Sequence, residues 1–272
     1  MGGASRDPLG LVHWKRDEYV FDSLTGEIVS ISTSGVKIAD RFNFNIAKAP
    51  IDNDRFDTER FKNERIFNAR SEVRKFSYKD SVLTFIGDIV SERLIPIVSY
   101  ELKYSFCTKG VHVELKYALD ENFGSLPRIG FYSELPSEYD LIEYLGYGEG
   151  ETYIDAYHSA DFGYYTTSPA EEFYPYVMPQ ESGSHYGTRM LQISNQAHSL
   201  VVDGEVSFSY IPYSINQLRD KKHNFELEKG EKNYLAVDFF MSGCGSHSCG
   251  PEIQEKYKVP RKAKKSFIIS VR

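Results

Sequence analysis

The sequence predicts an all-β protein, a large antiparallel β-sandwich, on three observations. Val98, Tyr100, Leu102, Tyr104 and Phe106 alternate strictly with polar residues, a turn follows at Thr108-Lys109-Gly110, and alternation resumes at Val111, Val113, Leu115, Tyr117 and Leu119. The 272-residue chain carries 20 Tyr and 18 Phe against a single Trp, a composition that suits pleated, half-buried surfaces. Nothing alternates strand with helix as a Rossmann sheet or a (β/α)8 barrel would.

Taken in order, residues 1–9 are small and polar and join no later pattern, which marks a cloning remnant or disordered tail. A single domain is expected over residues 10–272. Tyr19 and Phe21 before a Thr25-Gly26 turn, with Ile28 after it, predict a first hairpin. The charged stretch 57–75 predicts a helix, and Leu83 with Phe85 another strand. After the long hairpin, residues 130–194 crowd Gly, Pro, Tyr and Glu into what reads as long structured loops, which more often bind or contact than merely connect. Ser214 is placed to cap a short helix over 214–222, and Ala236, Phe239, Ile268 and Val271 belong to closing strands. Two broad antiparallel sheets packed face to face satisfy this pattern.

A net charge of −7 excludes the clustered positive field that DNA or RNA binding needs. The basic run Arg261-Lys262-Lys264-Lys265 is a solvated cluster. Three cysteines, Cys107, Cys244 and Cys249, form no disulfide framework, and His247 near the last two does not complete a zinc spacing, so no metal is expected. No stretch reaches the roughly 18 apolar residues of a membrane span and no signal pattern opens the chain, so a cytoplasmic location and no membrane partner are expected.

Three segments hold most of the chemistry. In Tyr144-Leu145-Gly146-Tyr147-Gly148-Glu149-Gly150-Glu151-Thr152-Tyr153-Ile154-Asp155 the glycines lack the strand-to-helix context of a phosphate loop and suit a bent loop instead. The segment Tyr174-Pro175-Tyr176-Val177-Met178-Pro179-Gln180-Glu181-Ser182-Gly183-Ser184-His185-Tyr186-Gly187-Thr188-Arg189 is stiffened by proline. Its Gln180, Glu181, His185 and Arg189 either contact a sugar or organise the loop, with Glu181 and Arg189 as a buried ion pair. The third, residues 238–251, runs from a strand into a glycine-rich tip, Ser246-His247-Ser248-Cys249. There the thiol lacks the separately held base and orienter of a cysteine nucleophile.

Together these segments resemble the C-terminal (small-chain, domain 5) part of glycoside hydrolase family 2 β-galactosidases. The family's patterns are Trp/Tyr-x-Gly-Arg-Gly-Pro-x-Glu-x-Tyr-x-Asp, Tyr-x-x-Pro-Gln-Glu-x-Gly and Gly-x-Gly-x-x-Ser-Trp-Gly-Pro, and all three occur here in order. Ala49-Pro50-Ile51-Asp52-Asn53-Asp54, and Pro212-Tyr213-Ser214 with Leu218 and His223, match two further family stretches, so the likeness runs over about residues 20–272. The resemblance implies a supersandwich of galactose-mutarotase-like fold. It also implies a domain that completes the active-site wall of an enzyme hydrolysing terminal β-D-galactosides. Its candidate substrate-binding loop is Ser246, His247, Ser248 and Cys249, with Glu151, Tyr153, Gln180, Glu181, His185 and Arg189 as loop organisers or sugar contacts.

The departures are Tyr147 and Glu149 for Arg and Pro, Lys48 for a common Arg, and Cys249 where some members carry a substrate-stacking tryptophan. A thiol offers far less stacking surface than an indole. Retaining glycosidases need two carboxyl groups about 5–5.5 Å apart. In the family both sit on a (β/α)8 barrel absent from this chain, so no catalytic residue is expected here and the chain alone should be inactive. The implied partner is that barrel, as part of the same enzyme or as a large subunit, and any Mg or Na belongs to it. Three alternatives stay open: a stand-alone carbohydrate-binding module stacking sugars on Tyr144, Tyr147, Tyr153 or Tyr157, a mutarotase-like sugar epimerase using His158, His185 or His223, and a purely structural assembly element.

Overall fold

Alternation becomes pleat almost from the start of the described chain. The computed structural model describes residues 17–272 in full, together with the backbone of two short strands ahead of them, β1 (Ser5–Arg6) and β2 (Leu11–Trp14). The remaining part of residues 1–9, read above as a remnant or tail, lies outside the described residues. β3 (Asp17–Phe21), β4 (Ile28–Thr33) and β5 (Val36–Asn45) form an antiparallel meander that buries Tyr19, Phe21, Ile28, Ile31 and Phe42 on one side.

Helix α1 (Arg55–Asn63) follows and buries only Phe61. The helix expected over 57–75 ends early: β6 (Arg70–Lys79) pairs antiparallel with β7 (Val82–Val90), and a bulge between Val73 and Lys75 breaks the strand's phase. That bulge spaces Val73 and Phe76 three apart, which mimics a helical period. The long hairpin is as expected, β8 (Pro96–Cys107) against β9 (Gly110–Leu119), paired without a break from Val98↔Leu119 to Cys107↔Gly110.

Residues 130–194, expected as loops, are largely strands. β10 (Arg128–Pro136), β11 (Leu141–Gly148), β12 (Asp161–Thr167) and β13 (His185–Ser194) pair antiparallel with their neighbours, and a single turn of helix, α2 (Pro169–Glu172), precedes the proline-rich loop. β14 (Ser199–Ile211) leads to α3 (Ile215–Asp220), where Ser214 Oγ accepts from Gln217 N at 3.2 Å as the predicted cap. β15 (Lys232–Met241) and β16 (Lys262–Val271) complete the chain.

The two expected layers are one hydrogen-bonded sheet curled on itself. Its order is β1-β2-β3-β4-β5-β10-β15-β14-β16-β9-β8-β7-β6, with β13, β11 and β12 branching from β14. The curl brings strands that are remote along the sheet face to face. Phe21 of β3 lies 4.8 Å from Tyr104 of β8, Phe44 of β5 lies 4.8 Å from Tyr100 of β8, and Phe131 of β10 meets Phe267 of β16 edge-on at 6.3 Å. These aromatic contacts fill the interior as two packed sheets would, at tilted and edge-on angles typical of ring pairs. Among the described residues no helix is long and apolar enough to cross a membrane.

Candidate active-site loop

The glycine-rich tip is built by approach too close for any side chain and by reversed backbone. A Cβ on Gly243 would meet the Asp155 carboxylate at 2.3 Å, and Gly245 holds φ at +63°, a conformation costly for other residues. The tip then closes a turn in which Gly250 N donates to Ser246 O at 2.7 Å.

Three distant segments hold this turn. Asp155 accepts from Cys244 N at 2.9 Å and from Gly245 N at 2.8 Å. Asn53 Nδ2 donates to Gly245 O at 2.7 Å, and its Oδ1 accepts from Ser248 Oγ at 2.7 Å. Gly243 N donates to Tyr257 O at 2.9 Å. Neither Asn53 nor Asp155 was singled out from sequence as a site residue. The signal for both was their place in the ordered motifs 49–54 and 144–155.

The tip's own side chains face outward. Ser246, Ser248 and Cys249 are exposed and His247 is half-buried, its ring 4.7 Å from that of Phe56. Phe56, in the first turn of α1, is 61% exposed and is the one large exposed hydrophobic side chain beside the tip among the described residues. Burial and the neighbouring Asp155 carboxylate push the Cys244 thiol up to about 11. Beneath the tip lies a cleft of about 380 Å³, lined by Asn53, Asp57, Phe61, Cys244, His247 and Ile253 among others.

The second motif supports this region from inside. Gln180 Oε1 accepts from Asp52 N at 3.1 Å, and Glu181 Oε2 from Ala49 N at 3.3 Å, so both side chains brace the 49–54 segment and both are buried. Lys48 pairs with Asp54 at 3.0 Å, and Asp54 also accepts from Ile51 N at 2.9 Å. Glu151 keeps an exposed side chain while its Oε2 accepts from Gly183 N at 2.9 Å, and Tyr153 is buried.

The expected Glu181–Arg189 pair does not form. Glu181 meets Arg128 at 2.8 Å, a fully buried guanidinium on β10 that sequence reasoning passed over, while Arg189 is exposed on β13 with its guanidinium 4.9 Å over the Phe162 ring. The outcome follows from topology, because β10 runs directly beside the 179–184 loop and β13 carries Arg189 away from it. Asp238 Oδ2 lies 3.1 Å from the same Arg128 nitrogen but makes no hydrogen bond. Two carboxylates thus share one guanidinium, and burial pushes Asp238 up to about 7. The void beside them, about 10 Å³, has no room for a sugar.

His185 is also internal, wedged between Tyr144 and Phe208 with Nε2 2.6 Å from Glu172. Tyr144 is buried; the half-buried Tyr147, Tyr157 and Tyr186 and the exposed Phe162 form a cluster in which rings pack against each other. Among the described residues no three His, Cys, Asp or Glu side chains gather as a metal site. The structure therefore brings four of the ordered motifs together, one of them the outward-facing turn itself, and of the buried Tyr153, Gln180, Glu181 and His185 it is Gln180 and Glu181 that brace the segment holding the turn.

Comparison with known proteins adds a lineage. Residues 14–270 match the family described as β-galactosidase small chain. The β-galactosidase of Actinobacillus pleuropneumoniae is 33% identical over 254 residues, covering 91% of this chain and 25% of that protein. The β-galactosidase of Staphylococcus xylosus is 29% identical over 261 residues, 90% of this chain and 26% of that protein. The chain thus spans about a quarter of the length of these relatives. Among solved structures, a galactose mutarotase-like protein from Lactobacillus casei superposes with a TM-score of 0.54 at 9% identity, over 96% of this chain and 99% of its own. A galactose mutarotase related enzyme from Lactobacillus acidophilus gives 0.54 at 8% identity, over 96% of each chain. At such identities the likeness is one of fold.

Proposed function

The chain belongs to the β-galactosidase small-chain family, and from that premise we propose that it is the C-terminal part, or a separate small subunit, of an enzyme hydrolysing terminal β-D-galactosides. The rest of that enzyme is its partner and carries the acid/base and nucleophilic carboxylates. This chain contributes the outward turn Ser246-His247-Ser248-Cys249 as one wall of the substrate site. Its output is placement of the sugar and exclusion of water, not bond cleavage.

The observation that carries this reading is the convergence of three other motifs on that turn, through Asn53 and Asp155 directly and through Gln180 and Glu181 behind them. A turn so fully tied offers a preorganised surface to a partner or substrate. The carboxylates that do meet inside the chain, Glu181 and Asp238, are committed to Arg128 and sealed from any sugar-sized cavity, which supports inactivity of the chain alone. The reading assigns it no cofactor.

The test is hydrolysis of a chromogenic β-galactoside by the purified chain, alone and mixed with the separately expressed catalytic part from the same source. Activity on mixing alone is expected, whereas turnover by the isolated chain overturns the proposal. A sugar-binding module in its own right is favoured by one observation, the partly exposed aromatic cluster of Tyr147, Tyr157, Phe162 and Tyr186. Calorimetric titration of the isolated chain with galactose and lactose decides it. The epimerase alternative finds no support at His185, which is sealed beneath Tyr144 and Phe208.

A further inference from the structure

Helix α1 has two working sides. One lines the cleft beneath the tip; the other forms a groove of about 380 Å³ with the end of the proline-rich loop and α3. The groove's apolar wall is Pro50, Ile51, Met178, Pro179 and Leu218. Its rim is basic, because Arg55, Lys62 and Lys221 line it and none of them enters an ion pair among the described residues, while Arg219 is matched by Asp220 at 2.7 Å. Asp52 is the one carboxylate on the lining.

Past Met178 the apolar wall continues into open solvent. Val177 is 79% exposed and Phe225 80%, and the two segments are fastened together by Asn224, whose N donates to Val177 O at 3.1 Å and whose Nδ2 donates to Pro175 O at 3.3 Å. Large apolar side chains held this rigidly in water, next to unmatched cations, mark a surface shaped for a partner. The cations are notable in a chain of net charge −7.

We infer that this groove and its apolar extension seat a carboxylate-bearing apolar segment of the enzyme's catalytic part. The inference rests on the function proposed above. Its occupant follows from two facts. The relatives carry about three times this chain's length beyond the matched segment, and unmatched Arg and Lys beside exposed Val, Met and Phe complement Asp or Glu set among apolar residues. Docking here places the partner against the outer side of α1, one helix width from the turn Asn53 secures. The cations steer the encounter and the apolar side chains hold it.

The experiment measures association of the full chain with the separately expressed catalytic part by interferometry. Two double variants are compared with wild type, Lys62→Glu with Lys221→Glu, and Val177→Asp with Phe225→Ser. All four positions lie on the surface, and unchanged thermal unfolding certifies the fold. Each pair should weaken binding about tenfold or more, and raised salt should weaken wild type but hardly the charge-reversed variant. Hydrogen exchange should slow at residues 177–178 and 218–225 on mixing. Wild-type affinity in both variants, or protection confined elsewhere, overturns the inference while leaving the proposed function standing. Loss of self-association by this chain, with binding to the catalytic part intact, makes the occupant a second copy and also overturns it. Failure of wild type to bind at all removes the proposed function itself.

Discussion

Asp155 and Gly245 lie 90 residues apart, yet Gly245 N donates to Asp155 Oδ2 at 2.8 Å, while the other carboxylate oxygen takes the amide of Cys244 at 2.9 Å. One carboxylate therefore fixes two successive peptide planes at the base of the turn. Replacing Asp155 by Ala removes both acceptors, and hydrogen exchange at the Cys244 and Gly245 amides should speed up by roughly tenfold or more, the loss of a charge-assisted bond. Unchanged protection at those amides would show that Asn53 and Tyr257 suffice.

At the tip, Cys249 stands exposed beside Asn53's hydroxyl partner Ser248, and Phe56 supplies the aromatic surface next to His247. If the turn borders the galactoside, Cys249→Trp should lower KM and Phe56→Ala should raise it, each by about threefold to tenfold with kcat little altered, as one stacking face is gained or lost. Steady-state kinetics on the mixed enzyme reads both. Matching parameters in all three proteins would detach the turn from the substrate.

Arg128 neutralises two buried carboxylates, and taking it away strands both. Arg128→Ala should lose about 3–5 kcal/mol of unfolding free energy, as breaking a buried ion pair does. Urea titration followed by tyrosine fluorescence measures it. A loss under about 1 kcal/mol would mean that the two carboxyl groups find other partners once the guanidinium is gone.

Burial raises Asp238 to about 7, and burial likewise raises Glu27, which accepts from Phe44 N at 2.9 Å, to about 7. Unfolded Asp and Glu titrate near 4. Between about pH 4 and 7 the native chain thus holds protons that the unfolded chain has released, so these groups favour folding at low pH and lose that contribution as pH rises through 7. Melting temperatures followed from pH 5 to 8 should show a downward component that Asp238→Asn makes shallower, leaving the part that belongs to Glu27. The same slope in the variant would assign the effect elsewhere.

Cys244 and Cys249 are close in sequence but chemically unlike. The Cys244 thiol is pushed up to about 11 beside Asp155, whereas Cys249 is exposed. Iodoacetamide at pH 8 should alkylate Cys249 well before Cys244, since the thiolate is the nucleophile. Peptide mass spectrometry distinguishes them, and equal labelling would mean that the turn opens in solution.

Legibility in the sequence followed locality. The β8–β9 hairpin shows itself because its period-two pattern and its turn lie within one contiguous stretch. β6 hid because its bulge and its largely exposed, charged faces erase that period. β11 and β12 hid for a different reason: Gly146 pairs with Gly163, and Tyr147 with Phe162, so small and aromatic residues do the work usually signalled by Val and Ile. At the site, the motifs' order pointed to the right segments, but which side chains meet depends on contacts spanning more than 100 residues. Glu181 finds Ala49 and Gln180 finds Asp52, and neither has a local signal.

The three-way pairing of β14 has a mechanical consequence. Residues 200–203 are hydrogen-bonded to β16 and residues 207–211 to β15, while β13 runs along the opposite edge. The strand therefore acts as a zip fastener shared by both flanks of the curled sheet, and neither flank can open without tearing stitches that belong to the other. Force applied across the domain is distributed over the whole weave, so the protein should yield in one event rather than flank by flank.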